Sequence, residues 1–293
     1  MTTLQRKVDY AVVFRVTKAN PNGDPLNGNR PRTDYDGFGE VTDVCLKRKM
    51  RDRLLERWVT QGRKEDGTMI FVQSDDRKED EAGSLKERAE NALGSKLGSA
   101  ETRKLACARW LDVRAFGQLF ALPKGNKKKK EQGDDEGDTG ISIGIRGPVS
   151  VQCAFSVEPV ASRVTSTQIT KSVSGEGDGS KRSSDTMGMK HRVDNGVYVF
   201  FGSMNPQLAE KTGFSDSDAD LIKTVLPKLF ENDASSARPE GSMEVLKVIW
   251  WQHNSKAGQY SSAKVHRSLT VKPDGNLDIT PLSGLSPEVI DGF

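Results

Sequence analysis

A strand-like segment and a turn-rich segment lie near the start of the chain: VDYAVVFRVT (Val8–Thr17) and, two residues later, NPNGDPLNGNRPR (Asn20–Arg32). In the first segment apolar residues occupy every second position, and Asp9 falls on the other face, which is typical of a half-buried β-strand. In the second segment nine of the thirteen residues are Asn, Gly or Pro, and two arginines close it. These residue types predict a loop after the strand.

A helix pattern follows this loop and leads to a prediction of the fold class. Thr42 or Asp43 is expected to cap a helix that runs to about Val59, and later segments alternate between strand-like and helical character. Without its polar insertions the chain reads strand, helix, strand, strand, helix, strand, which is the ferredoxin-like pattern shared by RNA-recognition (RRM) folds. We therefore predict an α+β chain with one RRM-like domain over residues 1–293, although this fold serves many functions.

Three polar segments interrupt the pattern. Residues 62–104 have nearly balanced charge and a helical middle, so we interpret them as an insertion. Residues 124–139 run from KKKK to DDEGD within a few positions and are predicted to form a mobile loop. Residues 164–193 are rich in Ser, Gly and Lys and show no steady period.

Composition excludes a membrane-spanning protein and leaves the question of partners open. The chain has 293 residues, of which 44 are basic and 41 acidic, so its net charge is only +3. Because the total is so even, local clusters of charge must indicate the partner. No apolar run approaches the ~20 residues of a membrane span, and the N-terminal segment lacks the apolar core of a signal peptide. Three widely spaced cysteines predict reduced thiols and a cytoplasmic protein.

The helix expected from Asp43 carries cations where apolar residues should lie. On a helical wheel of about 100° per residue, Lys47 and Arg51 fall inside the apolar half. Cations in an inward arc are costly unless partners satisfy them. A phosphate chain that crosses here would satisfy Lys47 and Arg51 together with Arg30 and Arg32 of the loop, and backbone N–H groups would add donors.

An ordinary explanation for these cations stays open. Asp43 lies one turn before Lys47, so the two form an i,i+4 ion pair in a regular helix. Long cationic side chains also extend from an apolar surface to water. The same wheel places Val44 inside the apolar half, and it places Lys49 and Arg53 at the edge of that half.

Three motifs resemble the backbone subunit of CRISPR Cascade complexes, a member of the RAMP superfamily. They are NPNGDPLNGNRPR, then VTDVCLKRKMRDR at Val41–Arg53, then DVRAFGQ at Asp112–Gln118, and the subtype I-C form is the most similar. The resemblance covers nearly the whole chain. It implies a modified RRM palm with a protruding thumb, copies that stack along a CRISPR RNA into a helical filament, and no catalytic role.

The resemblance also implies partners and contact residues. The partners are CRISPR RNA, the target DNA strand paired to the guide, further copies of the chain, and the guide-processing, large and small subunits of Cascade; no membrane, cofactor or metal is expected. Residues 164–193 become the thumb, which folds over RNA held by a neighbouring copy. The predicted RNA-binding residues are Asn22, Arg30, Arg32, Lys47, Arg51, Arg114, Gln118, Arg146, Lys171, Lys190, His191 and Arg192. Met187 and Met189 are predicted to wedge between bases, while a charge-rich loop that is merely solvated remains the alternative.

Aromatic residues give little reason to expect base stacking on the sheet. The RNA-binding signature of RRM domains is matched only in part by Arg114–Phe120, where Arg114, Phe116 and Gly117 fit. Trp250 and Trp251 are expected to pack on opposite faces of a central strand rather than to stack on bases.

A metal-dependent endoribonuclease is the alternative function. Asp24, Asp34, Asp36 and Asp43 form a carboxylate cluster in the sequence, and such a cluster is able to hold Mg²⁺. Turn and cap chemistry is the competing explanation, since Asp24-Pro25, Asp36-Gly37 and Asp43 stand at turn and cap positions. The three histidines show no zinc-like spacing to the cysteines.

Replacing residues 124–139 with a short Gly/Ser linker is predicted to leave thermal stability nearly unchanged. The segment offers no apolar side chain to bury, so its removal costs the core nothing. Thermal unfolding of the two chains measures this, and a large loss of stability in the shortened chain would show that the segment is packed.

Overall fold

An antiparallel sheet organises the chain and confirms the α+β class. The computed structural model describes residues 2–122, 141–161, 164–169 and 188–293. The elements of these residues are β1 (Val8–Ala19), β2 (Gly23–Asp24), β3 (Arg30–Pro31), β4 (Phe38–Val41), α1 (Asp43–Thr60), α2 (Leu85–Leu93), α3 (Thr102–Arg109), α4 (Leu111–Phe116), β5 (Gly117–Leu122), β6 (Ile141–Arg146), β7 (Val149–Val151), β8 (Ala154–Pro159), β9 (Val164–Ile169), β10 (Gly188–Met204), α5 (Pro206–Thr212), α6 (Asp216–Val225), β11 (Met243–Gln252), α7 (Ser262–Arg267), β12 (Leu269–Val271), β13 (Leu277–Ile279) and β14 (Glu288–Asp291).

The main sheet has the order β14-β11-β1-β10-β8-β4, and β7 and β9 also pair with β10. β1 lies between the two long strands β10 and β11. Val8 pairs with Met204 of β10 on one side and with Gln252 of β11 on the other. β5 pairs with β6, and β12 pairs with β13, in separate two-stranded sheets. Among the helices of the described residues, none is both long enough and apolar enough to cross a membrane.

The prediction that β1 is half-buried is wrong, because both faces of the strand are covered. Its even-numbered side chains, such as Tyr10 and Phe14, pack with α1 and α6 in the larger core cluster. Its odd-numbered side chains, such as Ala11 and Val13, lie on the opposite face and pack with α7, β12 and β13 in a separate core cluster. Alternation along one strand cannot reveal a second layer that comes from the other end of the chain.

Trp250 and Trp251 occupy opposite faces of β11, as predicted. Trp250 belongs to the cluster under α1 and α6, where it stacks on Tyr10 with ring centroids 5.8 Å apart. Trp251 belongs to the cluster on the other face. The pair thus contributes large apolar surface to both layers.

The polar insertion contributes to a second hydrophobic cluster, which it shares with the helices and strands that follow it. Phe71, Trp110 and Phe120 meet with ring centroids 4.5 and 5.5 Å from Phe71, and buried residues of α2 and α3 surround them. Within residues 62–104 the predicted helical middle is α2, which begins after its cap Ser84 and ends where Gly94 turns to φ 52°. The few apolar residues of this segment suffice because they pack together with β5 and β6.

An arm extends from the main sheet. We use this name for β9 together with residues 188–193 of β10, which pair antiparallel from Val164–Val193 to Ile169–Gly188. The sequence prediction assigned no regular period to this stretch, whereas the structure forms a strand pair there. Lys171, Met187 and the loop predicted at 124–139 lie outside the described residues.

A buried ionic network joins the start of β1 to the end of β11. Asp9 and His253 are both fully buried, with the carboxylate Oδ2 of Asp9 2.9 Å from Nε2 of His253. Nδ1 of His253 accepts the backbone N–H of Gln259 at 2.9 Å, so the ring is neutral and donates its Nε2–H to Asp9. Burial pushes the pKa of Asp9 upward, but hydrogen bonds from His253 and His266 outweigh it and lower the pKa well below 3.8.

Asp9→Asn is predicted to destabilise the chain by about 1–3 kcal/mol at neutral pH, because it removes the charged acceptor that bonds to His253 and pairs with Lys7. Since the pKa of Asp9 is lowered by folding, its contribution is present above the ordinary pKa of 3.8 and fades as the pH falls through the folded value. Denaturant unfolding of both chains measures this. The difference in unfolding free energy should narrow between about pH 5 and about pH 3, and a constant difference would contradict an ionised Asp9.

Candidate nucleic-acid interface

The turn-rich loop is a small, tightly bonded hairpin. β2 pairs with β3, and the side chain of Asp24 accepts the backbone N–H of Leu26 at 3.2 Å. Gly28 and Asn29 both adopt φ near 57°, a left-handed conformation that Gly and Asn tolerate best. The Asn and Gly content therefore builds a particular reversal and presents Arg30 and Arg32 on the returning strand.

Asn22 fixes this hairpin to the N-terminus of α1. Its Oδ1 accepts hydrogen bonds from both the backbone N–H and the hydroxyl of Thr42, each at 2.9 Å. Thr42 is the N-cap of α1, and its Oγ1 accepts the N–H of Cys45 at 3.3 Å. The amide oxygen of Asn22 is thus engaged within the chain, which gives Asn22 a positioning role, and a direct contact of its Nδ2 group with RNA stays a prediction.

The buried face of α1 differs from the one that the helical wheel predicts. Val44, expected inside, is 71% exposed, while Lys49 and Arg53, expected at the edge, are 1% and 3% exposed. Lys49 bonds to Asp233, from the loop after α6, and its Nζ lies 5.5 Å from the ring centroid of Phe230. A carboxylate from a distant segment therefore makes burial of Lys49 feasible, and the wheel has no information about it.

Lys47 pairs with Asp43 at 2.9 Å, so the ordinary i,i+4 explanation holds for this residue. Both side chains are partly exposed. Pairs of this kind contribute roughly 0.3–0.5 kcal/mol to stability. A phosphate is therefore able to replace Asp43 as the partner of Lys47 at little cost.

Arg51 lies one turn further along α1 and is held from the side. Its Nε donates to Oδ2 of Asp112 at 3.0 Å, and its guanidinium lies 5.0 Å from the ring centroid of Phe116. The two Nη groups make no hydrogen bond to the described part of the chain and are not sealed from solvent. Arg51 therefore retains the donors that a phosphate requires.

Arg114 is in a different position, because its guanidinium is buried and saturated. Nε and Nη2 donate to the two carboxylate oxygens of Asp218 at 2.9 and 2.7 Å. Nη1 donates to the carbonyls of Gly67 and Cys107. This bidentate pair ties α4 to α6, and contact of Arg114 with RNA stays a prediction that the geometry does not favour.

Gln118 and Arg146 follow Arg51 along the same strip of surface. Phe116, beneath the guanidinium of Arg51, directly precedes Gly117, which pairs with Arg146 in the β5–β6 ladder. Gln118 is partly exposed and donates to the carbonyl of Leu119 at 3.2 Å, whereas Arg146 is exposed. No ion pair links Arg146 to the residues that the structure describes.

Two glycines permit the close approach that brings these elements together. A Cβ on Gly147 would lie 2.2 Å from the carbonyl oxygen of Ala115, and one on Gly117 would lie 2.3 Å from that of Ile145. Gly117 also has φ 85°. Only glycine at both positions lets the end of β6 cross the junction of α4 and β5 without moving the backbone.

The arm lies beside the returning strand of the hairpin. Met189 is 55% exposed, whereas His191 is buried, and burial and the nearby charge of Arg30 both lower the pKa of His191. Nε of Arg192 lies 3.3 Å from Oδ1 of Asp194, in a half-exposed pair. Lys190 is partly buried.

The two loop arginines differ in their surroundings. Nη2 of Arg32 lies 3.3 Å from Oδ1 of Asp24 within the hairpin, and both side chains are about one-third exposed or less. Arg30 is exposed, and it makes no ion pair with any residue in the described ranges. Arg30 is accordingly the cation of the hairpin that is ready to accept an anion.

Three of the four aspartates of the alternative function have carboxylates that bond within the chain. Asp24 bonds to Leu26 and Arg32, and Asp43 pairs with Lys47. Oδ1 of Asp34 accepts the N–H groups of Asp36 and Phe38 at 3.0 and 2.8 Å. Among the described residues no group of three or more His, Cys, Asp or Glu side chains is arranged to hold a metal ion. The ribonuclease alternative stays a prediction without a cluster to support it.

The structure thus connects most of the predicted site residues through a chain of contacts. The hairpin joins the arm through Arg30 and α1 through Asn22; α1 then leads from Lys47 to Arg51 and on to Gln118 and Arg146. Reasoning from sequence missed Asp112 and Phe116 as partners of Arg51. Their place in the DVRAFGQ motif was the available signal, but it did not tell which side chains turn toward α1.

Comparisons with known proteins agree with the three motifs. The family model described as CRISPR-associated protein Cas7 matches residues 6–285. A CRISPR-associated protein Cas7 from Haloferax volcanii is 29% identical over 257 residues, which cover 85% of this chain and 71% of that protein.

Two solved structures are also similar. A chain of a CRISPR RNA-guided surveillance complex, pre-nicking, aligns with a TM-score of 0.42 and 13% identity over 84% of this chain and 78% of its own. A chain of another CRISPR RNA-guided surveillance complex aligns with a TM-score of 0.40 and 14% identity over 84% of this chain and 68% of its own. The resemblance seen in the motifs is confirmed for the family, while subtype I-C stays a prediction. On the match over residues 6–285, the chain belongs to the Cas7 family of CRISPR-associated proteins.

Proposed function

We propose that this chain is a non-catalytic CRISPR RNA-binding subunit that oligomerises along the guide and forms the backbone of a type I-C Cascade complex. In this role it presents the guide for base pairing with target DNA in antiviral defence. The observation that carries the proposal is the cationic strip from Arg30 through Lys47 and Arg51 to Arg146. Its cations are either exposed or held by single carboxylates at a surface, which is the arrangement that a phosphate backbone requires.

The fold supports an RRM-like palm. Taken without the short strands, β1, α1, β8, β10, α6 and β11 follow the strand and helix order of a ferredoxin-like unit, and α1 and α6 pack on the same face of the sheet. Both faces of β1 are covered, so the sheet offers no open platform for bases. RNA is therefore held at the rim, by the hairpin and α1, rather than on the sheet as in an ordinary RRM.

The arm is the proposed base of the thumb. It lies beside the hairpin, falls within the range 164–193 predicted as the thumb, and carries the exposed Met189 and the cations Lys190 and Arg192. Met189 is an apolar side chain on a strand next to cations, which suits a wedge between bases. Other Cascade subunits and the target DNA strand are the further proposed partners.

Purification of the chain with its bound RNA, followed by sequencing of that RNA, tests the function directly. We expect the bound RNA to be guide RNA with a single repeat-spacer organisation. Incubation of the chain with labelled RNA in Mg²⁺ and in EDTA tests the alternative. Retention of intact RNA in both supports a non-catalytic subunit, whereas cleavage that requires Mg²⁺ would establish the ribonuclease.

Lys47→Ala together with Arg51→Ala is predicted to weaken RNA binding at every length of RNA. Each copy loses its own phosphate contacts, so the slope of log affinity against log salt should fall by about 0.7 for each lost contact to a single strand. Titrations at several salt concentrations measure this, with guides of different sequence and equal length as the control for base readout. An unchanged slope would contradict the palm contacts.

Changing Lys171, Lys190 and Arg192 together to alanine is predicted to act through assembly. If the thumb covers RNA held by the next copy, binding to an RNA of one-site length stays near normal, and cooperative binding to an RNA of many sites is lost. His191 is left in place because it is buried. Equal defects of this variant and of the Lys47/Arg51 variant at both lengths would show that the division into palm and thumb is wrong.

A further inference from the structure

We propose that Asp112 is a positioning residue for RNA binding, which fixes the guanidinium of Arg51 so that its two Nη groups face a phosphate. The inference rests on the proposed function, because it assumes that Arg51 contacts RNA. Asp112 itself does not touch the ligand. It lies in α4, 61 positions from Arg51 in sequence, and is 1% exposed.

The carboxylate of Asp112 is held by more than its ion pair. Oδ1 accepts the backbone N–H of Phe71 at 2.7 Å. Oδ2 accepts the backbone N–H of Val72 at 3.0 Å and Nε of Arg51 at 3.0 Å. Two backbone donors anchor the carboxylate, so it cannot follow Arg51 when that side chain moves. The result is a rigid acceptor at one defined place beside α1.

The geometry of the guanidinium explains why this anchor prepares Arg51 for a phosphate. Arginine has five N–H donors in a planar fork, and the bond to Asp112 uses the Nε–H. The ring of Phe116 lies against the guanidinium and restricts its plane. The remaining Nη groups are unbonded within the described residues and are not sealed from solvent, in a side chain that is 14% exposed. They form the edge that binds two phosphate oxygens at once.

Fixing the side chain in advance raises affinity without any new contact with the ligand. A long side chain that is already ordered loses less conformational freedom when it binds. The backbone N–H groups of residues 71–72 belong to the polar insertion, so this segment takes part in RNA binding through Asp112. The alternative is that the pair only ties α1 to α4 and contributes stability alone.

A double-mutant cycle separates the two roles. The variants are Asp112→Asn, Arg51→Ala and the two together, each measured for RNA affinity at several salt concentrations and for thermal stability. In Asp112→Asn the acceptor loses its negative charge and the amide NH₂ faces at least one of the three donors, so the bond that holds Arg51 is weakened. We expect an affinity loss of about fivefold in the wild-type background and almost none in the Arg51→Ala background. Thermal stability is measured for all four chains, and because the two side chains are in contact the stability losses are not expected to add.

Asp218→Asn is the matched control, because it breaks the other buried Asp–Arg pair of α4, which faces α6 instead of the strip. It should lower stability and leave the affinity and its salt slope unchanged. Asp112→Glu keeps the charge and serves as the second variant if Asp112→Asn does not fold; it should lose affinity only in the presence of Arg51.

Three results would overturn the proposal. Affinity losses that add in the double variant would mean that Asp112 acts apart from Arg51. An affinity loss in Asp218→Asn equal to that in Asp112→Asn would mean that both act through stability alone. An unchanged affinity in Arg51→Ala would remove the contact itself and would also refute the palm contacts of the proposed function, which the first two results leave standing.

Discussion

Carboxylates from distant segments hold the cations of α1, and the proposed RNA-binding strip depends on these bonds. Asp233 bonds to Lys49, to Arg48 at 3.2 Å and to Arg238 at 3.0 Å, and Asp112 holds Arg51. Burial raises the pKa of Asp233, but the neighbouring cations, Lys49 first, outweigh it and lower the pKa below its ordinary value. The helix therefore buries some of its cations and leaves others at the surface. A helix with one apolar face and one polar face would not bury cations in this way.

This arrangement separates cations that stabilise the fold from cations that are free to bind a ligand. Lys49 and Arg114 donate hydrogen bonds to buried carboxylates, so removing either partner of a pair leaves an unpaired buried charge. Arg30, Lys47 and Arg51 keep exposed donors or hold a partner that a phosphate readily replaces. Motif membership does not distinguish the groups, since Arg51 and Lys49 stand two residues apart in one motif and differ in role.

The hairpin between β1 and α1 serves as the connection between the palm and the arm. Asn22 bonds to the cap of α1, and Arg30 lies close enough to His191 for its charge to lower the pKa of that histidine. The hairpin thus lies between the arm and the start of α1, bonded to the helix cap and near the charge-sensitive His191 of the arm. In the proposed assembly the hairpin would link the RNA contacts of α1 in one copy to the position of its thumb over the RNA bound by the next copy.

The sequence by itself determined the α+β class, the family, the turn chemistry of the hairpin and the cap of α1, because these follow from local patterns and from motifs over short spans. It also predicted Trp250 and Trp251 on opposite faces. Only the tertiary structure decided which cations of α1 are buried, that β1 is covered on both faces, and that Arg51 is fixed by Asp112. Burial of Lys49, the second layer over β1 and the fixing of Arg51 each depend on a partner 61 or more positions away. Periodicity records which side of a segment is apolar, but it carries no information about the carboxylate or the layer that another segment brings to it.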